Sequence, residues 1–212
     1  MIHPHTRLTW IDATVGTGVI ATAPLPRGTI TWALDPLDRV MRADEIAALP
    51  ELLQPSVRYR ALPYATGERV LLWDHAWLVN HDCRANTLTT PGFFDVAVRD
   101  IAEGEQLTND YAAFDLDFEL PFDCVCGRPE CRYARGEIDV PGELARWDDE
   151  LREALARMRF VPQALGSLVR EEARAVQGFA ARFPPPSPSE YTLRAYATGR
   201  VSTAARSATL GG

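Results

Sequence analysis

The sequence predicts a β-rich α+β fold, on three observations. The first 135 or so residues break into short β-branched and aromatic runs closed by glycine or proline. Helical periodicity is scarce among them, and a long amphipathic pattern appears only past residue 140. From Leu8 to Leu34, strands are expected at Val19-Ile20-Ala21-Thr22 and Thr29-Ile30-Thr31-Trp32, separated by Gly16-Thr17-Gly18 and Pro24-Leu25-Pro26-Arg27-Gly28. Asp44 then reads as an N-cap, followed by Ile46, Leu49, Leu52 and Leu53 at helical spacing, with a break at Pro50. Val70-Leu71-Leu72-Trp73 and Phe93-Phe94-Asp95-Val96-Ala97-Val98 read as buried strands, and Ile101 to Thr108 as a turn leading into another. Leu144, Trp147, Leu151, Leu155 and Met158 recur every three or four residues and predict an amphipathic helix. A second helical segment is expected from Leu168 to Phe179. Pro184-Pro185-Pro186-Ser187-Pro188-Ser189 ends any helix, and residues 184–212 read as a Pro/Ala/Ser-rich disordered tail.

At 212 residues the chain has room for one compact domain with appendages, and its 46% apolar share suffices for a core. The net charge of −7 argues against direct nucleic-acid binding, which needs surplus basic side chains, and favours a cationic partner. All 22 basic residues are arginine. No apolar run approaches the roughly 18 residues of a bilayer span, and the segment Met1 to Arg7 lacks the apolar core of a signal peptide. A cytoplasmic location is expected.

Four cysteines stand out. Cys124, Cys126 and Cys131 form C-x-C-x4-C, and Cys83 lies far upstream in Asn80-His81-Asp82-Cys83-Arg84-Ala85-Asn86. Four thiolates can make a closed tetrahedral shell, the arrangement of a structural zinc site. Two disulfides or incidental thiols are the other readings, but Cys124 and Cys126 are too close to bridge comfortably. In a reducing compartment clustered cysteines serve more often as metal ligands.

Three segments in order resemble the SET-domain protein-lysine methyltransferases with a post-SET zinc cluster. Gly16-Thr17-Gly18-Val19-Ile20-Ala21-Thr22 with Pro26-Arg27-Gly28 is similar to the family's G-x-G segment. Asn80-His81-Asp82-Cys83 is similar to N-H-S-C, and Ile101-Ala102-Glu103-Gly104-Glu105-Gln106-Leu107-Thr108-Asn109-Asp110-Tyr111 to I-x-x-G-E-E-L-T-x-D-Y. The resemblance implies a SET (β-clip) fold with a pseudoknot-like crossing over residues 1–121, with a helical insert at about 43–62. It further implies a post-SET zinc segment at 122–135, with a helical extension at 136–183 beyond it.

It also implies S-adenosyl-L-methionine (AdoMet) as cofactor. Backbone at Gly16, Thr17, Gly18 and Val19, with Asn80 and His81, would bind it; Phe122 would pack on its adenine. Tyr111 would be the catalytic residue beside the sulfonium, and Cys83, Cys124, Cys126 and Cys131 would hold a structural zinc. The expected substrate is a lysine in a basic protein or peptide, steered by an acidic rim of Asp115, Asp117, Glu119 and Asp123. A non-catalytic SET module and methylation of a small-molecule amine are the alternative readings.

Several positions depart from the family pattern. Trp77 stands where arginine is common, Asp82 replaces serine, Ala85 replaces proline and Tyr133 replaces glycine. Asn109 occupies the place where an aromatic often controls how many methyl groups are added. The nucleophile must be a neutral amine, which costs a lysine roughly 4 to 5 kcal/mol at pH 7. No dedicated general base is evident from the sequence.

Overall fold

The computed structural model describes residues 1–63, 68–90, 92–113, 124–129, 131 and 140–169. β1 (Thr6–Asp12) and β2 (Gly16–Ala21) form an antiparallel hairpin. β3 is Ile30–Ala33, and β4 is Arg39–Met41. Two short helices follow, α1 (Ala43–Ala47) and α2 (Gln54–Arg60), then β5 (Ala61–Pro63) and β6 (Arg69–Leu71). β7 (Asn80–His81), β8 (Thr87–Thr90), β9 (Phe94–Ala97), β10 (Thr108–Asn109) and α3 (Val140–Arg157) complete the described elements. Strands β4, β6 and β5 pair as one small sheet.

The central sheet has the order β3-β9-β8-β10-β7. β7 and β8 follow one another in the chain, yet β10 lies between them and runs parallel to both. The expected crossing is therefore present. Asn86 clamps it: this buried amide donates to Glu105 Oε1 at 3.1 Å and Gln106 O at 2.8 Å, and its Oδ1 accepts from Thr108 N at 2.8 Å. Just before β10, Leu107 N donates to Val19 O and Ala21 N to Glu105 O, so the 105–107 segment also runs along β2. One stretch of chain thus joins all three sequence segments.

The helical insert divides at Pro50 as expected, but two details differ. Arg42, not Asp44, is the N-cap of α1, because Glu45 reaches back to the Arg42 N–H at 2.8 Å. Ile46 is buried, whereas Leu52 and Leu53 are exposed and α2 buries no residue. Their spacing arose without a surface to pack on.

α3 lies on the central sheet. Leu144, Trp147, Leu151 and Ala154, with Met158 just beyond, join Ile30, Ala33, Leu88, Phe94 and Val96 in one core. Leu155 is only partly buried, and Ala154 holds the inner place. Gly28 explains the close fit, since a Cβ there would lie 2.9 Å from both Ala154 O and Met158 N. Gln163 closes the junction by donating to Gly28 O at 2.7 Å and accepting from Ile30 N at 2.9 Å. The second expected helix and the 184–212 tail fall outside the described residues, apart from turns around 164–168.

Candidate functional site

The first part of the site is the contact between β2 and β7. Asn80 Nδ2 donates to Thr17 O at 3.1 Å, linking the G-x-G strand to the N-H segment. Glycine at position 18 makes room for this contact, because an added Cβ would sit 2.8 Å from Asn80 Nδ2 and 2.7 Å from Gln106 Nε2 and both side-chain ends would have to shift. Its lack of a side chain serves the protein's own packing here, a reason that the sequence did not reveal. Gly16 begins β2 at φ +77°, ending the hairpin turn. Val19 is fully buried.

From β10 the chain enters a 3-10 turn at Tyr111–Ala113. Tyr111 Oη donates to Val79 O at 2.7 Å, fixing the phenol against the chain just before β7. Burial, with a smaller contribution from Tyr59, pushes this phenol above its ordinary pKa, so it is neutral at any physiological pH. The His81 ring packs 5.3 Å from the Tyr111 ring. His81 Nδ1 accepts from Tyr111 N at 3.3 Å, which leaves Nε2 to face Cys83 Sγ at 3.4 Å. The imidazole thus bridges the tyrosine and the cysteine cluster. His81 was expected to contact the cofactor mainly through its backbone, and this side-chain bridge was not foreseen.

The four cysteine sulfurs all lie within 4.8 Å of one another. Cys83 Sγ is 3.8 Å from the sulfurs of both Cys124 and Cys131. Sulfurs bound at about 2.3 Å to a tetrahedral zinc stand about 3.8 Å apart, so the set could hold such an ion. Burial pushes the Cys124 thiol up to about 12, so ionisation of that thiol needs a cation at hand.

Beside Tyr111 lies a cavity lined by Trp32, Leu62, Leu72, Ala76, Trp77, Val79, Asp95, Asn109 and Tyr111. Leu62, Trp77, Val79 and Tyr111 are partly exposed and form its outer part; Trp32, Asp95 and Asn109 are buried and form its inner end. Asn109 Nδ2 donates to Thr89 Oγ1 at 3.0 Å and to Asp95 Oδ2 at 3.1 Å. Behind Tyr111, buried Asp110 accepts from Trp147 Nε1 at 3.0 Å and from Arg146 Nη2 at 2.9 Å, so α3 braces the turn that carries the tyrosine.

Residues 16–112 match the family model of the SET domain. Over these residues the chain is similar to a SET domain. A stretch of 78 residues is 35% identical to the histone-lysine N-methyltransferase TRX1 of Oryza sativa subsp. japonica, covering 34% of this chain and 7% of that protein. The chain therefore spans a small part of the length of this relative.

Within the matched residues, two of the departures have visible partners. Asp82 accepts from Arg128 Nε at 2.9 Å and Nη2 at 3.2 Å, fastening the Cys83 loop to the cysteine cluster. Burial opposes its ionisation, but these bonds and that from Arg84 N hold its pKa below the usual carboxylate value. Trp77 lines the cavity and carries the Arg60 guanidinium 4.6 Å above its ring. Phe122, Tyr133 and the acidic rim lie outside the described residues. Asp95, Thr89 and the α3 contacts to Asp110 were missed from sequence. Asp95 had a signal: a carboxylate in the apolar run Phe93 to Val98 is seldom buried without a task.

Proposed function

We propose that these residues form the SET domain of an AdoMet-dependent methyltransferase that transfers a methyl group to the ε-amine of a lysine in a protein or peptide. The observation that supports it best is the crossing of β10 between β7 and β8. It places Tyr111 at the wall of an apolar-sided cavity, one strand from the Asn80–Thr17 contact. Backbone at Gly16 to Val19, with Asn80 and His81, would hold AdoMet, and Phe122 would cover its adenine as the family resemblance implies. When bound, AdoMet supplies a methyl group on a positive sulfonium.

The protein's own task is alignment and desolvation. Leu62, Leu72, Ala76, Trp77 and Val79 would enclose the alkyl chain of the acceptor, and a dry wall lowers the pKa of an amine. Tyr111, held by its bond to Val79 O, would aim the acceptor nitrogen; orientation of this kind contributes roughly 7 to 11 kcal/mol. Cys83, Cys124, Cys126 and Cys131 would hold a structural zinc, closed to catalysis by its four thiolates. The rice relative is named for histone lysine, and a basic protein suits a chain of net charge −7. That balance gives no reason to expect nucleic-acid binding, and no helix among the described residues is long and apolar enough to cross a membrane. Free thiols suit a reducing, cytoplasmic setting.

The test combines calorimetric titration with AdoMet and transfer of labelled methyl to proteins of a lysate lacking this chain, with mass spectrometry of the labelled residues. Labelled lysines are expected, with Tyr111→Phe lowering the rate at least about tenfold, or about 1.4 kcal/mol of barrier. Binding without transfer would favour a recognition module, and label confined to free amines a small-molecule methyltransferase.

A further inference from the structure

Burial leaves two acceptor atoms at the inner end of the cavity unexplained. Asp95 Oδ1 and Asn109 Oδ1 are buried and have no hydrogen-bond partner. Both residues line the cavity that Tyr111 also lines. The polarity of the pair is fixed: the Asn109 amide nitrogen already donates to Thr89 Oγ1 and Asp95 Oδ2, so its oxygen can only accept. An ionised carboxylate is likewise an acceptor only. Two acceptors without a protein partner in an apolar-walled cavity suit a group that brings N–H or O–H donors, and the buried negative charge of an ionised Asp95 favours a cationic one.

Resting on the reading of this cavity as a lysine channel, we propose that Asp95 is a catalytic residue that binds the acceptor ammonium and takes one of its protons before methyl transfer. The proton passes from lysine –NH3⁺ to the Asp95 carboxylate, giving a neutral amine and a neutral carboxylic acid. The amine lone pair then forms the N–C bond while the S–C bond breaks and its electron pair stays on sulfur. The product is a methylammonium, and the Asp95 proton leaves to solvent as the product departs.

The neutral pair suits a dry site better than two separated charges. Burial pushes the Asp95 carboxyl up to about 6, close to the working pH where a general base is most effective. Hydrogen bonds from Thr89 and Asn109 and the charge of the Met1 ammonium oppose this rise without cancelling it, and strands β3, β8 and β10, packed around Asp95, present no charged side chain among the described residues. Tyr111 is the other titratable group on the cavity wall and is neutral. A third unpaired atom, Trp32 Nε1, is a donor that an ammonium cannot satisfy; a water linking it to an acceptor oxygen would.

The test uses the full chain with zinc, labelled AdoMet and poly-L-lysine as the probe acceptor, from pH 6 to 10. With Asp95 as base, the wild-type rate should level off above about pH 7. Asp95→Asn keeps the shape of the side chain and should retain AdoMet affinity and circular dichroism. Its rate at pH 7 should fall about 100-fold or more, then climb about tenfold per pH unit as solution deprotonates the amine. A variant rate within twofold of wild type at pH 7, or an equal loss at every pH, would overturn the proposal. The wild-type profile decides independently of the variant's folding: a steady rise from pH 7 to 9 also overturns it. Wild-type protein that binds AdoMet but labels no poly-L-lysine would remove the lysine-channel reading and Asp95 with it. Label transferred equally well by the Asn variant would remove Asp95 alone.

Discussion

Asp95 couples pH to stability as well as to chemistry. Burial raises its folded pKa from 3.8 to about 6, so the folded state binds more protons than the unfolded one between those values. Stability should therefore fall as pH rises through this window, by on the order of 2 to 3 kcal/mol. Asp95→Asn removes that cost, and its melting temperature at pH 8 should exceed that of wild type; a lower value would mean that the ionised carboxylate has a partner stabilising the fold. A site that is more stable without its carboxylate is the expected signature of a group kept for function. At this scale legibility divides by chemistry. The cysteines, Asn80 and Tyr111 could be singled out as candidates because their types and spacing match a motif. Asp95 was not, because its meaning depends on Asn109 and Thr89 arriving from other strands. Nor could the His81 bridge be seen, since it needs Tyr111 on one side of the ring and Cys83 on the other.

Among the elements, α3 was the easiest to foresee and its task the hardest. Its three-to-four-residue spacing gave the helix and most of its buried face, but the exchange of Ala154 for Leu155 depends on Gly28 below it. Gly28→Ala should cost at least about 2 kcal/mol, since φ there is +92° and the new methyl would strike helix backbone. Chemical denaturation measures this; a loss under 0.5 kcal/mol would mean that α3 can shift without cost. The insert helices show the opposite error. Leu52 and Leu53 have apolar character at the right spacing and nothing to bury against, because spacing describes one helix and burial needs two surfaces.

For the whole molecule, the order of motifs was enough to anticipate the crossing, while the pairing of β10 with both β7 and β8 came from the structure. The cysteine cluster ties that crossing to a segment more than forty residues later in the chain, with 41 residues between Cys83 and Cys124 in separation. Stripping metal with a chelator should therefore lower the melting temperature and weaken AdoMet binding together. Each single Cys→Ser variant should lose bound zinc, as measured by elemental analysis. Full metal content in all four variants would remove the zinc assignment.

The bracing of Asp110 by α3 has a consequence in time. Synthesis proceeds from one end at about 5 to 20 residues per second, so about 4 to 15 s separate the making of Asn80 from that of Arg157. Through that interval the sheet residues that Trp147 and Leu151 will cover have no lid, and Asp110 lacks both donors from the helix. The growing chain therefore holds Tyr111 well before it holds the support for it, and the turn that carries this tyrosine is braced only once α3 has docked.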